Sequence, residues 1–136
     1  MYLVDTNVIS EARKGAKANP GVQKFWQTVS EDAVYLSAIT IGELRCGVES
    51  LKYRGDILQA AKLETWLLSV CADYSRRILE FDADCAQVWG KLMSPHKQNA
   101  LDKQIAAIAL IHDLTVVTRN ISDFATTGVR LNNPFE

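Results

Sequence analysis

An α/β fold, with a small and mainly parallel sheet flanked by helices, is what the sequence predicts, and three observations carry the prediction. Short β-type runs alternate with helical stretches of roughly ten to fifteen residues, the rhythm of βαβ units joined by right-handed crossovers. The apolar run Leu3-Val4 feeds straight into Asp5-Thr6-Asn7, which sets a carboxylate at the C-terminal end of a buried strand, where open α/β sheets bind ligands. The chain has 136 residues, 48% of them apolar, enough to fill one core, so a single domain over 1–136 is expected.

Taken in order, Tyr2-Leu3-Val4 is the first strand and a helical pattern follows at Val8 and Ile9. Asn19-Pro20-Gly21 reads as a turn before a helix that carries Val22, Phe25, Trp26 and Val29. Val34-Tyr35-Leu36 is a second strand ending at Ser37. Helical periodicity resumes from Ile39 to Leu51 through Ile41, Leu44 and Val48, with Thr40 placed as N-cap and Glu43 three residues on, the pattern of a capping box. Ile57 to Val70 forms a long helix, and Ile78-Leu79 with Phe81 a third strand. Asp82 caps a helix bearing Ala86, Val88, Trp89 and Leu92. Leu101 to Leu114 is strongly helical, Thr115-Val116-Val117-Thr118 is a compact buried strand, and Val129-Arg130-Leu131 is a short edge strand.

Lys and Arg (15) nearly balance Asp and Glu (16), so neither a polybasic arm nor an acidic tail announces a partner, and a nucleic-acid substrate must be met by a local patch. Cys46, Cys71 and Cys85 lack the Cys-x-x-Cys spacing of a zinc or redox site and read as buried small hydrophobes in a reducing cytosol. Asp5 interrupts any signal-peptide apolar region, and the longest apolar run, Ile105 to Ile111, is too short to span a bilayer. A soluble cytoplasmic protein without a membrane partner is expected.

In a parallel sheet the strand ends and the following helix starts share one rim, so Asp5, Glu43, Asp102 and the pair Asn120/Asp123 can face one cleft. Converging carboxylates raise one another's pKa, and a divalent cation removes that conflict. Oxygen-only ligands without His or Cys point to Mg²⁺, with Mn²⁺ able to substitute, rather than zinc. Such a centre suits phosphodiester hydrolysis by an activated water. Asp5 and Asp102 are the expected direct ligands, with Glu43 ligating through water or orienting the nucleophile. Thr6, Asn7, Ser37 and Thr118 are placed to hold the carboxylates by hydrogen bonds.

Four ordered segments match one family: Leu3-Val4-Asp5-Thr6-Asn7-Val8-Ile9-Ser10-Glu11; Leu36 through Gly47, including Gly42-Glu43-Leu44-Arg45; Asp102 with Ile105-Ala106-Ala107; and Val116-Val117-Thr118-Arg119-Asn120-Ile121-Ser122-Asp123-Phe124. In them the chain resembles the PIN-domain ribonucleases, and especially the VapC and FitB type toxins of bacterial toxin–antitoxin pairs. The resemblance covers nearly the whole chain. It implies a PIN-like three-layer sandwich and a metal-dependent endoribonuclease that hydrolyses RNA. It further implies a homodimer silenced by a cognate antitoxin whose tail lies across the active-site groove, with DNA met only through that antitoxin. Metal ligation in the family falls on the positions of Asp5 and Asp102, with Glu43 completing the acidic core. The fourth acidic position is filled by Asp123 or by the amide of Asn120. Asp113 stands where relatives often have a helix-ending Gly, and Asp tolerates the left-handed conformation required there.

Each acid taken singly has a structural explanation: a capping box for Thr40/Glu43, charge near a helix N-terminus for Asp102, a loop or cap for Asp123. Asp5 does not, because a charge directly after a buried strand is costly unless paired or ligated. His96 and His112 have no ligand or nucleophile partner and read as surface or capping residues. Trp26, Trp66 and Trp89 fall on apolar helix faces, as core or subunit-interface residues. Arg45 and Arg119 flank the cleft as RNA-phosphate contacts, while Arg13, Lys14 and Lys17 read as solvated surface. Two rival functions differ in their signatures. A phosphatase of the haloacid-dehalogenase type wants a second Asp where Asn7 stands, and a regulatory binding module would be catalytically silent on RNA with Mg²⁺.

Overall fold

The computed structural model describes residues 1–136 and contains one five-stranded sheet: β1 (Tyr2–Val4), β2 (Val34–Ser37), β3 (Ile78–Leu79), β4 (Thr115–Val117) and β5 (Leu131–Asn132). Their spatial order is β3-β2-β1-β4-β5, and every neighbouring pair is parallel, so the sheet is parallel throughout rather than mainly so. The helices are α1 (Thr6–Ala12), α2 (Pro20–Thr28), α3 (Ala38–Tyr53), α4 (Ile57–Asp73), α5 (Ala83–Met93), α6 (Ala100–His112) and the single turn α7 (Ile121–Phe124). No helix is long and apolar enough to cross a membrane.

Alternation along the strands divides the core in two, because successive side chains of a strand point to opposite faces. Val4, Val34, Leu36 and Val117 pack with Val8, Val22, Val48 and Leu67 from α1 to α4. Leu3 and Val116 turn the other way, onto Cys85, Ile105, Ile108 and Phe124 from α5 to α7. Helices, sheet and helices therefore form three layers, as the strand–helix rhythm requires.

Several boundaries move from their sequence-based positions. Helix α3 begins at Ala38 with Ser37 as its N-cap, whose Oγ accepts the Thr40 N–H at 3.0 Å. Thr40 is therefore inside the helix, and the capping box read at Thr40/Glu43 does not form. Asn19 caps α2, accepting from the N–H groups of Gly21 and Val22, so the segment read as a turn already contains the first helical turn with Pro20 at its start. The last strand is displaced to Leu131–Asn132, while Val129 is buried in the core before it. Phe81 lies beyond β3 and meets Trp89 edge to face. Of the cysteines only Cys85 is buried; Cys46 is exposed, and Cys71 is half-buried at the margin of the core cluster. At the end of α6, Asp113 takes the left-handed conformation expected of it, with φ 54°.

Sequence order runs outward from β1 to β3 on one side, and the chain then returns to lay β4 and β5 on the other. The reversal falls between β1 and β4, the switch point beyond whose C-terminal strand ends open α/β sheets bind ligands. The register Val4↔Val117 brings Asp5 and Thr118 side by side as the first residues past that edge.

Candidate functional site

Asp5 occupies the switch point, and four hydrogen bonds fix it. Its backbone N–H continues the ladder to Val117 O at 2.9 Å. Its carboxylate caps α1, with Oδ1 accepting the Thr6 N–H at 2.8 Å. Oδ2 accepts the Thr118 hydroxyl at 2.8 Å and the Asn7 amide at 3.2 Å. The residue is only 3% exposed. Burial lifts its carboxyl above the ordinary aspartate range; the bonds from Thr118, Thr6 and Asn7 oppose the lift, and the charge of Asp123 adds to it.

Asn7 and Thr118 tie the loop after β1 to the loop after β4. The Asn7 amide nitrogen also reaches Thr118 Oγ1 at 3.3 Å, and its Oδ1 accepts the Arg119 N–H at 3.0 Å. Thr118 Oγ1 in turn accepts the Asn120 N–H at 3.0 Å. Every polar atom of the Asn7 side chain is thus engaged in holding Asp5 and its neighbour strand.

Glu43 reaches the same rim from α3. With Ser37 as the cap, Glu43 lies a turn further along and its Oε1 accepts the Thr6 hydroxyl at 2.7 Å. Thr6 Oγ1 also lies 3.1 Å from Thr40 Oγ1, and Thr40 is buried. Ser37 touches no carboxylate; it acts on Glu43 only by setting where α3 starts. Beside Glu43 an apolar groove of about 450 Å³ is lined by Ala38, Ile39, Gly42, Cys46 and Leu101.

Asp102 enters from the first turn of α6 and Asp123 from α7. The Asp102 carboxyl is pushed up to about 6, first by burial, then by the charges of Asp5, Asp123 and Glu43, and last by hydrogen bonding with Asp123. Carboxylates from four separate elements therefore act on one another across the cleft. They do not close into a three-ligand cage. Mg²⁺ does not require one, since it is commonly held by one or two carboxylates and keeps its remaining waters. An all-oxygen cluster with two carboxyls held above their ordinary range fits such a cation.

At the fourth acidic position the two candidates separate. Asp123 raises the pKa of both Asp5 and Asp102. The Asn120 side chain is exposed and makes no hydrogen bond; only its backbone N–H joins the network, through Thr118. Arg45 differs from its expected place. It is clamped to Glu64 of α4 and to Glu49 one turn along α3, because it lies on the α4-facing side of its helix rather than the cleft side. Arg119 remains at the rim, its guanidinium 4.9 Å from the Phe135 ring centroid.

Two features escaped sequence reading. Lys103, beside Asp102, is buried, and its ammonium donates to the His96 carbonyl at 2.7 Å, strapping the loop after α5 to the start of α6. The signal was present, since Lys103 shares a helical stripe with Ala106 and Ala107. The helical turn α7, which carries Asp123, was too short to show a period.

Comparison with known proteins gives a consistent result. A family model described as PIN domain matches residues 2–128. The chain is 37% identical over 142 residues to Toxin FitB of Neisseria gonorrhoeae, covering 99% of each. It is 36% identical over 143 residues to VapC ribonuclease Y4jK of Sinorhizobium fredii, covering 100% of this chain and 99% of that protein. Among solved structures, FitAcB from Neisseria gonorrhoeae superposes with a TM-score of 0.88 at 36% identity, over 100% of this chain and 99% of the other. Further toxin–antitoxin complexes share the fold at lower identity.

Proposed function

The chain belongs to the PIN-domain family, and from that premise we propose that it is a Mg²⁺-dependent endoribonuclease, the toxin of a type II toxin–antitoxin pair. The observation that carries this reading is the gathering of acids at one strand end, with Asp5 Oδ2 held by Thr118 and Asn7, Glu43 Oε1 held by Thr6, and the Asp102 carboxyl raised by burial and by the charges of Asp5, Asp123 and Glu43. These acids come from distant parts of the chain, and none of the four joins an ion pair. Structural ion pairs are built the other way, with opposite charges together.

On this reading Asp5 and Asp102 are the direct metal ligands, and Glu43 and Asp123 complete the acidic set. A divalent cation held there would lower the pKa of an attacking water and offset charge developing on the phosphate and the leaving oxygen. Mn²⁺ would substitute, having the same oxygen preference. The chain's own groups supply the orientation. Thr118 and Asn7 fix Asp5 Oδ2, Thr6 fixes Glu43 Oε1, and the packed helix α6 presents Asp102. Glu43, reached through water, would orient the nucleophile.

The identity to Toxin FitB and to a VapC ribonuclease supports both the reaction class and the toxin role. The likeness to a solved toxin–antitoxin complex supports a cognate antitoxin partner; a cytoplasmic homodimer that this antitoxin keeps silent, and that meets DNA only through it, completes the reading. The phosphatase reading lacks its required second acid, since the residue at that position is Asn7, whose amide is committed to Asp5, Thr118 and the Arg119 N–H.

The test uses purified, antitoxin-free protein on single-stranded RNA with Mg²⁺, Mn²⁺ or EDTA. Cleavage by the wild type should require the cation. Asp5→Asn and Asp102→Asn should each abolish it with an unchanged circular-dichroism spectrum. Undiminished cleavage by either variant would defeat the site assignment, and a wild type inert on RNA would favour the regulatory-module reading.

A further inference from the structure

Arg119 differs from the paired cations of the chain in what it touches, a state it shares with Arg13, which stacks on Trp66 at the far end of α1 from Asp5. Lys14 is held by Glu11 at 2.8 Å, and Arg45 and Lys52 share Glu49 and Glu64. Arg77 and Arg130 reach Glu31 and Asp113. Arg119 joins no ion pair. Glu11, whose carboxyl is held down in part by the charge of Arg119, already spends one oxygen on Lys14 and the other on the Asn19 N–H at 2.8 Å.

What holds Arg119 is an aromatic face. Its guanidinium stands 4.9 Å from the Phe135 ring centroid, and Phe135 is itself packed against the core cluster of α1, α2 and β1. The segment carrying Phe135 is fixed in turn. Pro134 is buried, and the Phe135 N–H donates to Asn133 Oδ1 at 3.0 Å. Gly21 lets this segment lie close on the start of α2, since a Cβ there would meet Pro134 O at 2.0 Å. The Arg119 backbone is pinned to Asn7, the same side chain that clamps Asp5. A charged fork is therefore held at a defined place one residue beyond Thr118, with one face covered by Phe135 and its N–H edges left without a carboxylate.

An acidic cleft repels the polyanion it is proposed to cut, and a fixed, unpaired guanidinium matches the geometry of phosphate oxygens. We propose that Arg119, braced on Phe135, is a phosphate-binding subsite that seats an RNA phosphodiester next to the carboxylates. This deepens the nuclease reading and rests on it.

Full-length wild type, Arg119→Ala, Arg119→Lys, Phe135→Leu and, as control, Arg130→Ala are compared on a mixed-sequence 20-nucleotide single-stranded RNA. Cleavage kinetics are read in Mg²⁺, and binding is read in EDTA over a series of KCl concentrations. Arg130 removes the same charge at the opposite end of β4, beside Thr115. Losing one charge-assisted phosphate contact should raise KM for Arg119→Ala roughly tenfold at low salt, with kcat changed far less. It should also flatten the slope of log K against log salt by about 0.7. Arg119→Lys should keep the slope yet raise KM, because the stacked fork is lost, and Phe135→Leu should behave likewise. Arg130→Ala should match the wild type.

Equal KM and slope for Arg119→Ala and the wild type would overturn the subsite. So would an Arg119→Ala that binds RNA normally but no longer retains a co-expressed antitoxin, which would assign the residue to the protein partner. A wild type that binds RNA in EDTA with the Arg119-dependent slope but never cleaves would instead defeat the nuclease reading and leave the subsite standing.

Discussion

At the scale of the residue, the proposed chemistry turns on how two aspartates are held. Asp5 and Asp102 both have carboxyls lifted above the unfolded range, so folding favours their protonated forms. The sign follows from linkage: the folded chain binds more protons than the unfolded one between the unfolded aspartate range and about 6, so stability falls as pH rises through that window. Asp102→Asn should therefore raise the melting temperature of the protein in EDTA at pH 7, and the gain should shrink towards pH 4. A variant no more stable than wild type at pH 7 would contradict the electrostatic account. The supporting hydroxyls and amide have a separate expected effect. Thr6→Val removes the hydrogen bond to Glu43 Oε1 and Asn7→Ala removes one of the three that hold the Asp5 carboxylate, and each should lower cleavage or metal affinity by about ten- to a hundredfold, the usual consequence of losing a ligand's own hydrogen-bond partner.

At the scale of the element, one serine decides the direction of a catalytic candidate. Ser37 ends β2 and caps α3, so the helix begins at Ala38 and Glu43 is carried round to meet Thr6. Ser37→Ala should cost about 1 kcal/mol of stability by chemical denaturation, since the buried Thr40 N–H then loses its acceptor. Ser37→Thr should recover part of that loss. Sequence periodicity found this helix from Ile39 but set its N-cap at Thr40, because Ser37 and Thr40 are both good caps and only the close of β2 separates them. The same limit applies at α2, where Pro20 reads equally as a turn residue and as a first helical residue. Helix α6 shows the opposite case. Its Asn99 provides no side-chain cap. The start of α6 is held instead by Lys103 reaching back to His96 O, an arrangement that local rules do not foresee.

At the scale of the whole molecule, the reversal of strand order between β1 and β4 creates the switch point, and the register Val4↔Val117 sets Asp5 beside Thr118. A cation binding there would relieve repulsion among acids from four elements and so act on global stability. Added Mg²⁺ should raise the melting temperature at pH 7, corresponding to about 2.7 kcal/mol when the ion is at a hundred times its Kd. The rise should be smaller at pH 5, where protons compete for Asp102, and should vanish in Asp5→Asn. A thermal shift independent of pH and of Asp5 would place the cation elsewhere.

By itself the sequence determined the strand–helix rhythm, the presence of a carboxylate at the end of a buried strand, and the set of acids able to join it. Alternation and periodicity are local properties, and an unpaired charge after an apolar run is visible without coordinates. Only the tertiary structure left the Asn120 side chain exposed while bringing Asp123 to act on Asp102, turned Arg45 away to Glu64, and braced Arg119 on Phe135. Those choices depend on which helix faces meet across the sheet and on contacts between residues far apart in the chain. Spacing along a polypeptide carries no record of such contacts until strand order and register bring the residues together.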